Sequence, residues 1–253
     1  MRMSEATSHG RLPWVLGALL GLGAPGLPAR AEVDFSRATM GRTTYPAGSW
    51  VFDTTQLYTM PKGRDASADK FQSEAEVEHG LTERFSWSAG LETVNARRDG
   101  VQLGRGILGA RYLALPAPLQ LTPFAEYRPS LRRKADELEF GLEAMKNYEH
   151  FSLIFQGSGQ SAKDPGAARR QTGSVTTGPL YRFGLNGIAG VQWLYVTDGT
   201  NYLASQIGGA VSKNIFLGLA PTFGLSRRAA DFQIGAKIHV YFGDYRRQVF
   251  GLD

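Results

Sequence analysis

The chain has 253 residues, 28 Lys or Arg against 23 Asp or Glu, 42 % hydrophobic residues and no cysteine. That length suits one large domain or two small ones, and the apolar content excludes a disordered chain. Without cysteine there is no disulfide framework and no thiolate metal site, so an oxidising compartment is tolerated.

The N-terminus reads as an export signal. Arg2 and Arg11 precede an apolar run, Leu12 to Leu27, which closes on Ala29-Arg30-Ala31. A basic start, a short apolar core and an Ala-x-Ala end predict a cleaved signal peptide over residues 1–31. Its removal leaves 25 basic and 22 acidic residues, a net charge of +3. No later stretch approaches the roughly 20 continuous apolar residues of a membrane helix. Residues 32–47 are polar and do not alternate, and are expected to be a periplasmic segment. Whether they enter a lumen as a plug is left open.

From residue 48 to 243 the chain alternates with period two. Twelve strands are predicted, at 49–59, 70–80, 84–95, 101–114, 119–130, 135–147, 150–158, 172–182, 184–196, 201–211, 214–224 and 229–242, with a C-terminal tail at 244–253. In the sixth, Leu138, Phe140, Leu142 and Ala144 alternate with Glu137, Glu139, Gly141 and Glu143. In the twelfth, Phe232, Ile234, Ala236, Ile238, Val240 and Phe242 alternate with Gln233, Gly235, Lys237 and His239. Such alternation is a strand signal. A soluble sandwich would turn the apolar parity inward, and a membrane barrel would turn it to lipid. Strand length decides, because crossing a bilayer takes about 9–11 tilted residues whereas soluble strands average about 5–6. Short connections (80–83, 115–118, 148–149, 183, 212–213) are expected to alternate with longer ones (61–69, 96–100, 131–134, 159–171, 197–200, 225–228). That is the pattern of periplasmic turns and external loops. The expected fold is therefore all-β, a twelve-stranded antiparallel transmembrane barrel of the outer-membrane type, with "GSGQSAKDPG" (157–166) leading into an external loop.

The polar parity then lines a lumen. Acids are expected there at Glu74, Glu76, Glu78, Glu92, Glu137, Glu139 and Glu143, and bases at Arg105, Arg111, Arg128, Arg182 and Lys237. Two readings stand: a polarised pore whose opposed walls orient a small permeant, or an Arg–Glu network that fills a narrow interior. A basic rim is expected at the loops: Arg64, Lys70, Arg97, Arg98, Arg132, Arg133, Lys134, Arg169, Arg170, Arg227 and Arg228. Such a rim meets lipopolysaccharide phosphates, or steers anionic solutes. The pairs are too scattered for nucleic acid. Trp50, Tyr58, Tyr112, Tyr127, Tyr148, Tyr181, Trp193, Tyr195, Tyr202 and Tyr241 are assigned to interface girdles, leaving Phe124 and Phe216 as lumen aromatics.

Catalysis has one candidate, His150-x-Ser152. It resembles the base and nucleophile of outer-membrane phospholipase and lipid A deacylase families. Those families need the pair on the lipid face, which here belongs to Phe151, Leu153 and Phe155; Asn147 and Glu149 are near but not clearly placed to orient the ring. His79 and His239 lack partners at metal-ligand spacing, and no cofactor motif is present.

"EHGLTERFSWSAGLE" (78–92) resembles a hairpin widespread in proteobacterial outer-membrane barrels, including the group named for the meta-pathway of phenol degradation and a copper-resistance group. The matching residues are Glu78, Gly80, Leu81, Thr82, Glu83, Arg84 and Phe85, with His79 in an aromatic place. "YPAGSWVFDTTQLY" (45–58) is similar to the first strand of the meta-pathway group. The resemblance covers about the first quarter of the chain and implies an outer-membrane barrel with a transport role and no catalytic residues. Gln233, Gly235, Ile238 and Val240 to Phe242 resemble the signal read by the barrel-insertion machinery, though eleven residues follow Phe242.

Overall fold

The computed structural model describes residues 42–60, 70–96, 100–131, 135–163, 169–183 and 187–242. They form β1 (Trp50–Met60), β2 (Lys70–Gly80), β3 (Phe85–Ala96), β4 (Gly100–Tyr112), β5 (Leu119–Arg128) and β6 (Asp136–Asn147). The second half of the ring is β7 (Phe151–Lys163), β8 (Arg170–Phe183), β9 (Gly187–Val196), β10 (Asn201–Ala210), β11 (Ile215–Gly224) and β12 (Phe232–Phe242). Each strand pairs antiparallel with its chain neighbours, and β1 pairs with β12 from Trp50↔Phe242 to Met60↔Phe232, so the sheet closes on itself. The expected twelve-stranded antiparallel barrel is the fold.

Alternation explains which face goes where. Leu91, Leu108, Phe140, Leu153, Val191, Ile207, Leu219 and Ile238, from eight different strands, are each at least 42 % exposed on the outside. A continuous apolar belt of this kind has no place on a soluble monomer but is at home in hydrocarbon. Closure leaves no edge, so the backbone groups of the strands are satisfied within the belt. Aromatics gather at its borders. Trp50 stacks on His79 at 4.1 Å with Trp87 edge-on, and Tyr148 stacks on Phe151 at 4.4 Å.

Three expectations change. Tyr202 and Tyr241 belong to the interior rather than to the girdles, at 5 % and 1 % exposure. They share the inward parity of Gln206 and of Lys237, which assignment by strand end overlooks. Next, β7 continues to Lys163 instead of stopping at residue 158, and Arg170 pairs with Ala162 inside the ladder instead of lying in a loop. Alternation is silent there because Gly157 and Gly159 hold outward positions. The ring of Phe155 lies 3.6 Å from a Cβ built at Gly157, and that of Phe140 lies 3.2 Å from one at Gly159, so neighbouring rings supply the apolar cover. Finally, connection length does not alternate strictly. The connection at 113–118 has six residues and belongs to the end carrying the termini; 197–200 has four and belongs to the opposite end. Below these are called the turn end and the loop end.

One seam is weaker than the rest. The β4–β5 ladder runs only from Leu108↔Tyr127 to Arg111↔Phe124, whereas β3–β4 pairs along almost its whole length. Pro123 and Pro129 stand on either side of that short ladder and have no N–H to give. Amide hydrogen exchange in detergent should therefore open β4 and β5 along this seam before any other pair of strands. Uniform protection around the ring would contradict the assignment.

Candidate functional site

Most of the inward charge lies in one half of the lumen. The inward parity of β1 to β6 brings Asp53, Glu74, Glu76, Glu78, Glu92, Arg105, Arg111, Glu126, Arg128, Glu137, Glu139 and Glu143 to one curved wall, and β12 adds Lys237. From β7 to β11 the buried inward residues are neutral: Ser152, Ile154, Ser158, Thr172, Thr176, Leu180, Ile188, Gln192, Leu194, Gln206 and Phe216. Acids and bases sit on neighbouring strands of one wall, with both signs together on β5, and the wall that faces them carries Arg170 and Arg182 near the two ends of β8.

The interleaving is an ion-pair network. Arg128 is its hub: Nη1 lies 2.7 Å from Glu74 and 3.6 Å from Glu92, and Nε donates to Glu126. Arg105 reaches Glu137 at 2.6 Å and Glu92 at 3.8 Å, and Arg111 reaches Glu143 at 3.1 Å. Arg111 also lies over the Phe124 ring at 4.9 Å from its centroid. Arg182 stands apart. Its guanidinium donates to the Tyr148 carbonyl at 2.6 Å, at the turn end, and takes no part in the network.

Within the charged half lies a cavity of about 70 Å³ lined by Asp53, Thr55, Glu74, Glu76, Glu78, Ser88, Arg111, Phe124, Glu126, Arg128, Glu139, Gln156 and Lys237. That is room for a handful of waters or one small solute. Glu76 leans over Gly90, where a Cβ would fall 2.5 Å from its Cγ. Asp53 and Glu126 join the site although the sequence does not single them out: both lie on inward parity, but each strand offers one such acid, so there is no run of them. Asp53 sits beside His239, whose Nδ1 is 2.9 Å from Oδ2, close enough for an ion pair but without hydrogen-bond geometry. On the wall of β9 and β10 the buried amides of Gln192 and Gln206 have no hydrogen-bond partner among the described residues.

The turn end is crossed by residues 42–49. Thr43, Thr44 and Tyr45 are fully buried. Thr43 donates its N–H to Gln120 Oε1 at 3.0 Å, and its hydroxyl meets that of Thr122 at 2.5 Å, both on β5. Tyr45 packs with Val51, Ile188, Phe216 and Tyr241 of β1, β9, β11 and β12. In a ring of twelve, β5 and β11 stand opposite one another, so the segment spans the lumen. It approaches β2 so closely that a Cβ on Gly80 would lie 1.9 Å from the Pro46 carbonyl oxygen. Residues 32–41 of the expected periplasmic segment lie outside the described residues.

Arg42 fastens this segment by donating to Glu83 Oε2 at 2.8 Å in the β2–β3 turn. That hydrogen bond holds the Glu83 carboxyl below its ordinary range. A depressed carboxylate stabilises the fold above its unfolded pKa, and the contribution disappears as pH falls through the lowered value. Glu83 is exposed, so the pair is worth less than about 1 kcal/mol. Glu83→Gln should lower the melting temperature slightly at pH 7, and the gap should close as the pH falls through the lowered carboxyl value. A gap that persists in acid would assign the stabilisation elsewhere.

The remaining sequence candidates separate. Ser152 is buried in the lumen and donates to Asn147 Oδ1 at 2.7 Å; His150 projects at the rim, its Nε2 3.7 Å from Glu149. Asn147 holds the hydroxyl rather than the imidazole. His79 is satisfied between two tryptophans, with Nδ1 2.8 Å from the Ser49 carbonyl. Among the described residues no three His, Asp or Glu side chains gather to hold a metal ion. Of the basic rim, Arg169 and Arg227 are exposed at the loop end, and Arg228 donates to the Asp198 carbonyl at 2.6 Å, tying two loops together. Arg64, Arg97, Arg98, Arg132, Arg133 and Lys134 lie outside the described residues.

No family model matches the chain, and no curated protein does. Solved structures that resemble it include an outer-membrane channel of the COG4313 group from Pseudomonas putida F1, at 12 % identity and TM-score 0.60, covering 83 % of this chain and 100 % of that one. The NanC porin matches at 10 % identity and TM-score 0.58, and the KdgM porin at 12 % and 0.57, each over 76 % of this chain and 99 % of the other. At such identities the likeness speaks for the fold alone: a barrel of the outer-membrane type.

Proposed function

We propose that this protein resides in the outer membrane of a Gram-negative cell and passes small polar or charged solutes by diffusion through its lumen. The observation that carries the reading is a charged cavity of about 70 Å³ inside a closed barrel whose outside is a continuous apolar belt. A folding device with no traffic would have no use for side chains that must be kept solvated at its axis. The fold is shared with porins and an outer-membrane channel, which agrees with the reading. The likeness of the first hairpin to the meta-pathway group adds a transport role without naming a solute.

A second reading has its own support. The segment around Tyr45 spans the turn end, and the Arg128 network fills the middle, as a closed structural barrel requires. Single-channel recording of the folded protein in planar bilayers separates the two. Steady unitary currents that scale with salt are expected; silence from well-folded protein would favour the closed barrel. The exposed arginines of the loop end fit contact with lipopolysaccharide phosphates, which bind guanidinium bidentately.

One structure of KdgM holds disordered oligogalacturonate, a polyanion. That solute class does not suit this lumen. Nine inward carboxylates (Asp53, Glu74, Glu76, Glu78, Glu92, Glu126, Glu137, Glu139, Glu143) outnumber six cations on inward positions (Arg105, Arg111, Arg128, Arg170, Arg182, Lys237).

A further inference from the structure

We propose that Asp53 and His239 form a proton-operated latch beside the segment that crosses the turn end, holding that segment while the imidazole is neutral and releasing it when the imidazole takes up a proton. The proposal rests on the channel reading for what release does, and goes beyond it by naming the group that controls the passage.

The pair sits next to the residues that hold Tyr45. Asp53 of β1 and His239 of β12 are register partners, and the next inward pair toward the turn end is Val51 and Tyr241. In β11 the register partner of His239 is Phe216, with ring centroids 5.8 Å apart. Val51, Tyr241 and Phe216 are three of the four buried residues that cluster with Tyr45. His239, Phe216 and Tyr45 are all fully buried, and Phe216 lies against Gly208, where a Cβ would fall 2.7 Å from its Cζ. Packing this close leaves no slack, so a change at the imidazole is passed to Tyr45 by contact.

Protonation changes what the ring needs. Its Nδ1 lies 2.9 Å from Asp53 Oδ2, yet neither ring nitrogen has a hydrogen-bond partner among the described residues. A neutral imidazole has one N–H to satisfy, and a protonated one has two. Asp53 can answer the first through a charge-assisted bond. The second N–H would be buried without an acceptor, which a packed apolar cluster does not tolerate. Acceptors lie in the other direction. Asp53 borders the cavity, and Glu76, its register partner in β2, and Glu78 line the same space. The protonated ring therefore turns toward the cavity, Phe216 loses its backing, and Tyr45 loses the wall it packs on.

The ionisable groups around the pair are Glu76 and Glu78 on β2, Lys237 and Tyr241 on β12, and Tyr45 of the segment; β11 has none. Of these side-chain types, with Asp and His included, only imidazole ordinarily changes charge between about pH 5 and 8. The Arg42–Glu83 pair also fastens the segment, but its hydrogen bond holds the Glu83 carboxyl below the ordinary range, so that contact persists over the same interval. Falling pH adds the proton, so release belongs to the acid side.

The test records currents through the whole folded protein in planar bilayers at about pH 8 and about pH 5, the interval in which imidazole ordinarily titrates. Conductance should rise severalfold on acidification and fall again on return. His239→Gln keeps a polar side chain that takes up no proton, and should show the high-pH conductance at both values. Asp53→Asn keeps the ring and withdraws the carboxylate that attracts the proton, so its opening should move to more acid pH. The other histidines past residue 31 are His79 and His150, and His79→Gln and His150→Gln should respond as the parent does. Amide exchange, corrected for the pH dependence of its chemistry, follows the segment without any current. Protection of the Thr43 N–H, which is bonded to Gln120, should fall at the acid value in the parent and persist in His239→Gln. If His239→Gln does not refold, Asp53→Asn decides by the same two readouts. Opening retained in His239→Gln, or a parent whose conductance and protection ignore pH, would overturn the latch while leaving the channel standing. Silence in the bilayer at both pH values would overturn the channel reading, and exchange would then decide the latch: protection lost in the parent alone supports it, and protection that is equal in parent and variant removes it.

Discussion

Arg128→Met should destabilise the barrel by about 3–5 kcal/mol, the range for breaking a buried ion pair from one side. Arg128 is 5 % exposed, and its guanidinium is shared by Glu74, Glu92 and Glu126 across three strands. Glu74 and Glu92 are themselves 4 % and 3 % exposed and directly opposed in the β2–β3 ladder. Methionine keeps an unbranched apolar stem and removes the guanidinium with its charge and donors, so the loss reads chiefly the carboxylates left behind. Denaturant unfolding of the refolded protein, followed by tryptophan fluorescence, measures it. Arg128→Lys should fall between, because an ammonium is a point charge and cannot fork to several carboxylates.

The control is a compensated variant. Arg128→Met with Glu74→Gln and Glu126→Gln removes the network from both sides, and most of the lost stability should return. If the single change costs under about 1 kcal/mol, lumen water screens these carboxylates well enough to dispense with the hub, and the network is not what holds β2, β3 and β5 together.

The fold was legible because a bilayer imposes the same rule on every strand. Leu138, Phe140 and Leu142 had to be apolar together, whatever they touch, and Glu137, Glu139 and Glu143 had to be turned the other way. Strand order and closure follow from an unbroken run of such segments. Alternation fails where the outside is supplied by a neighbour. Gly157 and Gly159 carry no apolar side chain, so β7 reads as ending at residue 158, yet the rings of Phe155 and Phe140 cover them and the strand runs to Lys163. The site was legible residue by residue and not as an arrangement. Parity puts Glu74, Glu76, Glu78 and Arg128 on the inward face. It could not say that charges of both signs share one wall, because which inward residues meet across a lumen depends on ring position, and that is a property of closure. Tyr241 shows the same limit: proximity to a strand end suggested a girdle, whereas its parity with Lys237 and His239 sends it inward beside Tyr45.

Removing the segment that spans the turn end should raise single-channel conductance severalfold while leaving the barrel folded. A mature chain beginning at Ser49 loses Thr43 and Tyr45 and with them every contact that the segment makes with Gln120, Thr122, Ile188, Phe216 and Tyr241. None of the strand ladders includes residues 42–49, so strand pairing is untouched. The largest losses are the buried face of Tyr45 and the hydrogen bonds of Thr43, together about 3–5 kcal/mol, to which the exposed Arg42–Glu83 pair and the bond from the Gly48 N–H to the Gly80 carbonyl add smaller amounts. Gly80→Ala offers a route that keeps the chain whole. Its methyl group must push the Pro46 carbonyl away, since that oxygen would lie 1.9 Å from the new carbon. If the segment is the resistance in series with the cavity, the truncated chain and Gly80→Ala should both conduct more, and the truncated chain more strongly. Conductance unchanged by either would place the constriction in the Arg128 network instead, and the compensated Arg128 variant would then be the one that opens the pore.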